Sequence, residues 1–207
     1  MLPISFREAG ASDVEALSRL LVSLYAHEAP GMLAGSLDAQ AALTCRLLTS
    51  APLGWRLVAE ADGKVVATGS LATTEAPRPA VPASAVLSAP ALLGPVDGVR
   101  TMVGALRGLA TLTVAPDPEE ALVHSFVVSE KHQGQGIGQA LLTHLETLAR
   151  AARKRRVVLQ VVAGNTVARN FYRHAGYIEQ PRHQTRAQRW IGFASLVMGK
   201  ELGEARA

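Results

Sequence analysis

Cysteine and aromatic residues are scarce in this sequence of 207 residues. There is one cysteine, Cys45, which excludes both a disulfide framework within the chain and a zinc site built from paired cysteines. We therefore expect a reducing, cytoplasmic compartment and no metal, with Cys45 as a buried small hydrophobic residue. Aromatic residues make up only 4% of the chain, too few to interleave with basic residues along a nucleic-acid surface.

Long hydrophobic runs are also missing. The longest uncharged run, residues 79–96, is interrupted by Pro82, Pro90 and Pro95, which excludes a membrane-spanning helix there. The first residues lack the basic start and the apolar stretch of a signal peptide, so no membrane partner is expected. With 48% hydrophobic residues, the chain has enough material for a single globular domain over residues 1–207.

Charge is divided unevenly between the two parts of the chain. Residues 1–130 carry 8 Lys and Arg against 13 Asp and Glu, a net charge of −5. Residues 131–207 carry 13 against 4, a net charge of +9. This asymmetry predicts a basic surface that meets an anion and an acidic surface that does not.

Strand and helix patterns alternate along the chain. Strands are predicted at 4–8, 55–61, 64–71, 121–128, 157–162, 177–180 and 191–198, and helices after Ser12 and at 37–48, 138–153 and 166–174. Asp62-Gly63 predicts a tight hairpin, and Ser12 with Glu15 predicts a capping box for the first helix. The Pro- and Ala-rich residues 75–95 predict a long loop or an insertion, and residues 99–114 have a weak helical pattern. This order predicts an α/β sheet with helices on both faces.

Three glycines at alternate positions lie between a predicted strand and a predicted helix, in residues 133–138. Glycine lets the main chain approach a ligand closely, and the start of a helix offers unpaired N–H groups, so the segment predicts a phosphate cradle. The alternative is a strand-to-helix turn that only needs positive φ. A dinucleotide fingerprint, G-x-G-x-x-G, does not fit, because Gln139 or Leu141 stands at its sixth position.

Two motifs in order carry a family resemblance. Gln133, Gly136 and Gly138 match [QR]-x-x-G-x-[GA], and residues 165–177 match N-x-x-A-x-x-x-Y-x-x-x-G-[FY]. With these motifs the chain resembles the GNAT family of acyl-CoA-dependent N-acetyltransferases, most clearly over residues 120–180. The resemblance implies a mixed, mostly antiparallel twisted sheet of about seven strands flanked by helices, with an insertion at about 75–118. It also implies an enzyme that moves the acetyl group of acetyl-CoA to a primary amine by direct attack in a ternary complex.

The resemblance implies which residues bind acetyl-CoA. Main-chain N–H groups of the loop and helix start would hold the pyrophosphate; these residues are Gln133, Gly134, Gln135, Gly136, Ile137, Gly138 and Gln139. Phe126, Val127 and Val128 would line the pantetheine arm, because this strand splays from the next one in the family, and an N–H of Val127 or Val128 would meet the developing oxyanion. Asn165 would contact the cofactor through its amide, and its alternative role is to cap the following helix.

Acid and base candidates follow from the same resemblance. Tyr172 is the predicted acid that protonates the leaving thiolate; the alternative is a core tyrosine. His124 occupies a position where many relatives carry a glutamate, and it is the predicted base, although a hydrogen-bonded core histidine is equally consistent. Ser125, one position on, is predicted to point to the opposite face, and further candidates for the base are Glu119, Glu120 and His27.

We expect the acceptor to be a small-molecule amine or a peptide amine. Residues 25–36 and 75–95 are predicted to wall its pocket, with Glu28 and Asp38 attracting the ammonium. The basic residues at 150–156 are interpreted as plain surface; the alternative, shared with Arg182, Arg186 and Arg189, is contact with the adenosine 3′-phosphate.

Two other functions stay open. One is a catalytically silent acyl-CoA-binding or regulatory module, in which the cradle survives and the acceptor pocket does not. The other is a Rossmann-type oxidoreductase, which NAD binding would reveal. The protein is expected to be a monomer or a homodimer.

Overall fold

The computed structural model describes residues 4–80, 82–111, 114–181 and 194–203. The strands are β1 (Ile4–Glu8), β2 (Trp55–Ala61), β3 (Lys64–Ala72), β4 (Glu120–Val128), β5 (Arg156–Val162), β6 (Ile178–Glu179) and β7 (Ser195–Glu201). The helices are α1 (Val14–Glu28), α2 (Leu37–Thr49), α3 (Ala83–Val86), α4 (Ala89–Leu93), α5 (Pro95–Thr111), α6 (Ile137–Ala151) and α7 (Thr166–His174). Within these ranges, no helix has both the length and the hydrophobicity of a membrane span.

The described strands form one sheet in the order β1-β2-β3-β4-β5-β7-β6. All neighbours are antiparallel except β4 and β5, which run parallel because α6 forms the crossover between them. The predicted α/β fold, a seven-stranded, mixed and mostly antiparallel sheet with helices, is confirmed. In the hairpin between β2 and β3, Asp62 and Gly63 have φ of +50° and +70°, as the predicted tight turn requires.

Helix α6 supplies one half of the core. Its apolar residues Ile137, Leu141, Leu142 and Leu145 recur at helical spacing, and each is no more than 2% exposed. They pack on the alternate residues of the strands that include Leu57, Ala59 and Val123. Helix α1 covers the opposite face of β3 and β4.

The first helix begins differently from the prediction. Ser12 lies inside a 3₁₀ turn, Ala11–Asp13, that precedes α1, so the predicted capping box is wrong. Asp13 instead accepts a hydrogen bond from the Gly10 N–H (2.7 Å) and binds Arg7 through both carboxylate oxygens (2.7 and 2.8 Å). The contact between Asp13 and Arg7 on β1 therefore positions the start of helix α1.

The loop predicted at residues 75–95 contains helices from residue 83 onward. Residues 82–111 form α3, α4 and α5, and the weak helical pattern at 99–114 corresponds to the end of α5. Glycines, which lower helix propensity, serve here as points of close approach. A Cβ on Gly98 would lie 2.3 Å from the Pro90 Cα, and one on Gly104 would lie 2.5 Å from the Met32 carbonyl oxygen.

Candidate active site

Strand β4 separates from β5 halfway along its length. Its residues 120–123 pair with residues 156–159 of β5, whereas on its other edge β4 pairs with β3 as far as Val128. From His124 onward the β5-facing edge of β4 has no strand partner in the described part of the chain, and β5 continues along β7. Unpaired backbone groups at such an edge are able to bind an extended ligand.

A bulge lies where the strands separate. The register between β3 and β4 shifts between Thr68 and Ser70, and Ser125 has a φ of +52°. The bulge breaks the alternation of side chains, so the prediction that Ser125 points away from His124 is wrong: its Oγ lies 3.1 Å from His124 Nδ1. Strained backbone of this kind is common at functional sites.

The loop after β4 supports the predicted cradle. Gly134 and Gly136 have φ of +72° and +80°, and a Cβ on either would meet nothing within 4 Å. Glycine is therefore required at both positions for its backbone conformation and not for lack of space. The space beside the loop is open. Gly136 precedes α6 without any side-chain cap, so no described side chain caps the first N–H groups of the helix.

Two other residues of this segment have structural contacts. A Cβ on Gly138 would lie 3.4 Å from Val128 Cγ2 and 3.5 Å from the Phe171 ring, so this glycine brings α6 close to β4. Gln133 donates from Nε2 to the Val128 carbonyl oxygen at 3.0 Å and joins the loop to the open edge of the strand.

Tyr172 lies on the inward face of α7. Its side chain is 6% exposed, and its ring packs against Phe126, Phe171 and Tyr177 at centroid distances of 6.1, 5.1 and 5.8 Å. Burial, and secondarily the charge of Glu28, raise the pKa of the Tyr172 phenol. Among the described residues, its hydroxyl has no hydrogen-bond partner, so the proton is available to a ligand.

Asn165 and Glu28 join two helix ends. Asn165 Oδ1 accepts from the Ala168 N–H at 3.0 Å, which confirms the predicted cap of α7, and its Nδ2 donates to Glu28 Oε1 at 3.4 Å. Burial raises the pKa of Glu28 to about 7, although the Asn165 hydrogen bond and the His27 charge lower it. Sequence patterns predicted that Glu28 attracts an ammonium, but they did not predict its contact with Asn165, which is distant in sequence.

The other acidic candidates are engaged elsewhere. Asp38 has an 88% exposed side chain that lies 3.4 Å from Arg19, and Glu119 is 71% exposed beside Arg155. Glu120 is buried, accepts from the Asp117 N–H at 3.0 Å and pairs with a neighbouring arginine. The structure therefore does not bring these carboxylates together with Glu28.

His124 belongs to a polar row that the sequence analysis missed. Arg56 on β2 is paired with Ser70 on β3, and Ser70 is paired with His124 on β4, so the three side chains share one face of the sheet. Burial, then the charges of Arg78 and Arg56, lower the pKa of His124 to about 3. The imidazole is therefore neutral at physiological pH. The alternation of residues along β2 was the available signal for a shared face. It does not show which face of the sheet is covered by a helix.

The basic residues after α6 are partly structural. Lys154 is 7% exposed, and its Nζ binds Glu75 (2.7 and 2.9 Å) and the Pro118 carbonyl oxygen (2.8 Å). The interpretation of this cluster as plain surface is wrong for Lys154, which ties the end of α6 to the segment after β3. Arg182, Arg186 and Arg189 lie outside the described residues.

Comparison with known protein families identifies a family match for this chain. A sequence profile of the Acetyltransferase (GNAT) family matches residues 21–177. No curated protein matches the sequence.

Solved structures share the fold at low sequence identity. The ribosomal-protein-alanine N-acetyltransferase from Brucella melitensis is 21% identical, with 95% of this chain and 99% of that chain covered and a TM-score of 0.55. The protein yncA from Salmonella typhimurium, solved with its cofactor acetyl-CoA, is 18% identical, with 99% and 97% covered and a TM-score of 0.53. The PaiA N-acetyltransferase from Thermoplasma acidophilum, in complex with coenzyme A, is 14% identical, with 97% and 99% covered and a TM-score of 0.57. These similarities show that the proteins share a fold.

Proposed function

Because the chain belongs to the Acetyltransferase (GNAT) family, we propose that it transfers the acetyl group of acetyl-CoA to a primary amine by direct attack in a ternary complex. The observation that carries the proposal is the open edge of β4, which leads directly into the cradle at the start of α6. The family resemblance of the two sequence motifs is confirmed.

The residues at this edge fit the proposed donor, which when bound supplies a thioester for transfer. Exposed N–H groups at the start of α6 are positioned to bind a pyrophosphate, since they combine unpaired donors with the positive end of the helix dipole. The proposed cradle residues are Gln133, Gly134, Gln135, Gly136, Ile137, Gly138 and Gln139. Phe126 and Val127 line the pantetheine arm in this proposal, and Asn165 contacts the donor with its amide.

The directions of the backbone groups at the end of β4 indicate that the Val128 N–H donates to the thioester oxygen. The Ser129 N–H donates to the Val66 carbonyl oxygen on β3 at 2.8 Å, whereas the Val128 carbonyl oxygen accepts from Gln133. Consecutive residues of a strand direct their backbone groups to opposite edges, so the Val128 N–H faces the open edge. We assign the hydrogen bond to the thioester carbonyl oxygen to Val128 rather than Val127.

Tyr172 is the proposed acid. A phenol with a raised pKa keeps its proton at neutral pH, and an unpartnered hydroxyl can donate that proton to a departing thiolate. Its position beside Phe126, at the open edge of β4, supports this role.

The proposed base is His124, and a second candidate is Glu28. His124 is neutral and can accept a proton from an ammonium, directly or through water, but its pKa near 3 makes it a weak base. Glu28 is favoured by one observation: its pKa of about 7 is matched to proton transfer at neutral pH. A His124 base and a Glu28 base predict different pH dependences of kcat.

Purified protein, acetyl-CoA and a panel of primary amines test the function, with release of coenzyme A thiol as the readout. Tyr172→Phe is expected to lower kcat by about 100-fold or more while the Kd for acetyl-CoA is unchanged. Tyr177→Phe is the matched control, because Tyr177 donates to Glu146 at 3.1 Å in the core behind the site. An unchanged kcat in Tyr172→Phe contradicts the acid role. Binding of acetyl-CoA without transfer to any amine points to the silent binding module instead.

The pH dependence of kcat at saturating amine identifies the base. If Glu28 is the base, an acidic limb with a pKa near 7 is present in the wild type and in His124→Ala and is absent in Glu28→Gln. If His124 is the base, the acidic limb lies near pH 3 in the wild type and is lost in His124→Ala but not in Glu28→Gln.

A further inference from the structure

Two arginines on the face of the sheet covered by α1 have no carboxylate partner among the described residues. Arg56 is 7% exposed, and no described residue accepts a hydrogen bond from its Nε or Nη1. Arg78, in the segment after β3, donates from Nη2 to the Val114 carbonyl oxygen at 3.3 Å, and its Nε has no partner in the described ranges. Burial lowers the pKa of both guanidiniums, and the group that offsets it is the Tyr25 phenol.

A buried guanidinium without an anion is costly, because desolvation is not repaid by an ion pair. No Asp or Glu of the described chain lies within 4 Å of Arg56 or Arg78, and residues 182–193 contain neither amino acid. The neighbouring Ser70 Oγ is also buried, and no described residue is its hydrogen-bond partner. Three side chains with hydrogen-bonding atoms that no described residue uses thus lie beside one face, which is the arrangement of an anion-binding site.

The location separates this site from the cradle. Arg56, Ser70 and His124 form one row across β2, β3 and β4. His124 and Val128 lie opposite Ser70 and Ala67 of β3, which are roughly 10 Å apart along that strand, so the row lies on the acceptor side of the proposed thioester position. Neighbouring strands are about 4.8 Å apart, which places the Arg56 backbone about 10 Å from that of His124. A small molecule spans this distance.

We propose that Arg56, Arg78 and Ser70 bind an anionic group of the acceptor, which is therefore a small molecule carrying both a primary amine and a carboxylate or phosphonate. The inference rests on the proposed function and names its substrate class. The guanidiniums hold the anion and direct the amine toward Tyr172 and Glu28. Arginine is suited to this role, since its planar fork binds carboxylate and phosphonate oxygens in pairs.

Matched amines test the substrate class. Each amino acid is compared with its carboxamide, its decarboxylated amine and the corresponding aminophosphonate, with thiol release as the readout. The wild type is expected to favour the anionic amines in kcat/KM by about 10- to 100-fold, the range of a charge-assisted hydrogen bond. In Arg56→Met this ratio falls toward one. A wild type that prefers the neutral amines, or an Arg56→Met variant that keeps the full preference, overturns the proposal. The preferred anion distinguishes carboxylate from phosphonate.

Binding of products separates this proposal from the proposed function. An N-acetylamino acid and its carboxamide are titrated into the protein saturated with coenzyme A, so that no catalysis is required. We expect the carboxylate to bind at least about 10-fold more tightly and the advantage to be lost in Arg56→Met and Arg78→Met. Equal affinity of the two products overturns the anion site, whereas absent transfer with retained carboxylate preference counts against the proposed function alone. Arg46→Met, an exposed arginine on α2, is the control. A raised Tm of Arg56→Met shows that the variant folds, since it removes an unpaired buried charge.

Discussion

Replacing Glu28 by glutamine is expected to stabilise the protein at neutral and alkaline pH. Burial raises the pKa of Glu28 from 4.5 to about 7. A carboxyl whose pKa is higher in the folded chain than in the unfolded chain binds its proton more tightly when folded, so stability falls as the pH rises between these values. The cost is absent below pH 4.5 and complete above about pH 7.

The shift in pKa gives the size of the effect. One pKa unit corresponds to about 1.4 kcal/mol, so the rise from 4.5 to about 7 amounts to at most about 3 kcal/mol. Because Glu28 is half-buried, contact with solvent reduces this value, and we expect about 1 to 3 kcal/mol. Glutamine keeps an oxygen that accepts from Asn165, so the variant loses the charge and retains the shape.

Urea unfolding of wild type and Glu28→Gln between about pH 5 and about pH 8.5 measures this difference. The free energy of unfolding of the variant should exceed that of the wild type increasingly up to about pH 7 and then by a constant amount. Glu15→Gln, in which an 82% exposed carboxylate is replaced on the same helix, is the control. A difference between wild type and Glu28→Gln that does not vary with pH would refute the burial of this carboxylate.

Three further predictions concern the cradle, the core and an ion pair. Gly136→Ala forces alanine into a φ of +80° and is expected to cost roughly 1 to 2 kcal/mol in urea unfolding, as is Gly63→Ala at +70°, but only Gly136→Ala should weaken acetyl-CoA binding by calorimetry. Equal Kd values for the two variants would contradict the cradle. Leu141→Ala, at a fully buried position, is expected to lower the free energy of unfolding by about 2 to 5 kcal/mol, and a loss below about 1 kcal/mol would be inconsistent with the packing of α6. The hydrogen bond from Lys154 lowers the pKa of Glu75 to about 2, so its stabilising effect is complete above pH 4.5 and is lost as the pH falls toward 2. Acid unfolding of wild type and Glu75→Gln should therefore converge over that interval, and a constant separation would count against the pair.

Local patterns predicted much of the fold. Neighbours in sequence determine the Asp62-Gly63 turn, the start of α2 at Leu37 and the apolar face of α6, so these features were predicted from the sequence. The same is true of the glycines of the cradle and of Asn165 as a cap. Helices α3 and α4 were missed because their Pro- and Ala-rich segment predicted a loop. Helix α5 was predicted only weakly because its glycines lower helix propensity, while the structure uses them for contact with other segments.

The polar groups of the site depend on contacts that are distant in sequence. The bulge at Ser125 follows from the register against β3, and the burial of Arg56 follows from the helix that covers it. The net charge of −5 in residues 1–130 predicted an acidic acceptor side, yet that segment contributes Arg56 and Arg78 to the face beside His124. A count of charges does not distinguish an exposed carboxylate such as Asp38 from a buried guanidinium.

Asn165 makes two contacts through its amide, and aspartate, the residue closest to asparagine in shape, reproduces only one of them. Aspartate caps a helix as well as asparagine does, so Asn165→Asp retains the bond to the Ala168 N–H. The donor to Glu28 is lost, however, and a second carboxylate takes its place, which raises the pKa of Glu28 further. One side chain thereby links the start of the helix that carries Tyr172 to the protonation of a group at the end of another helix.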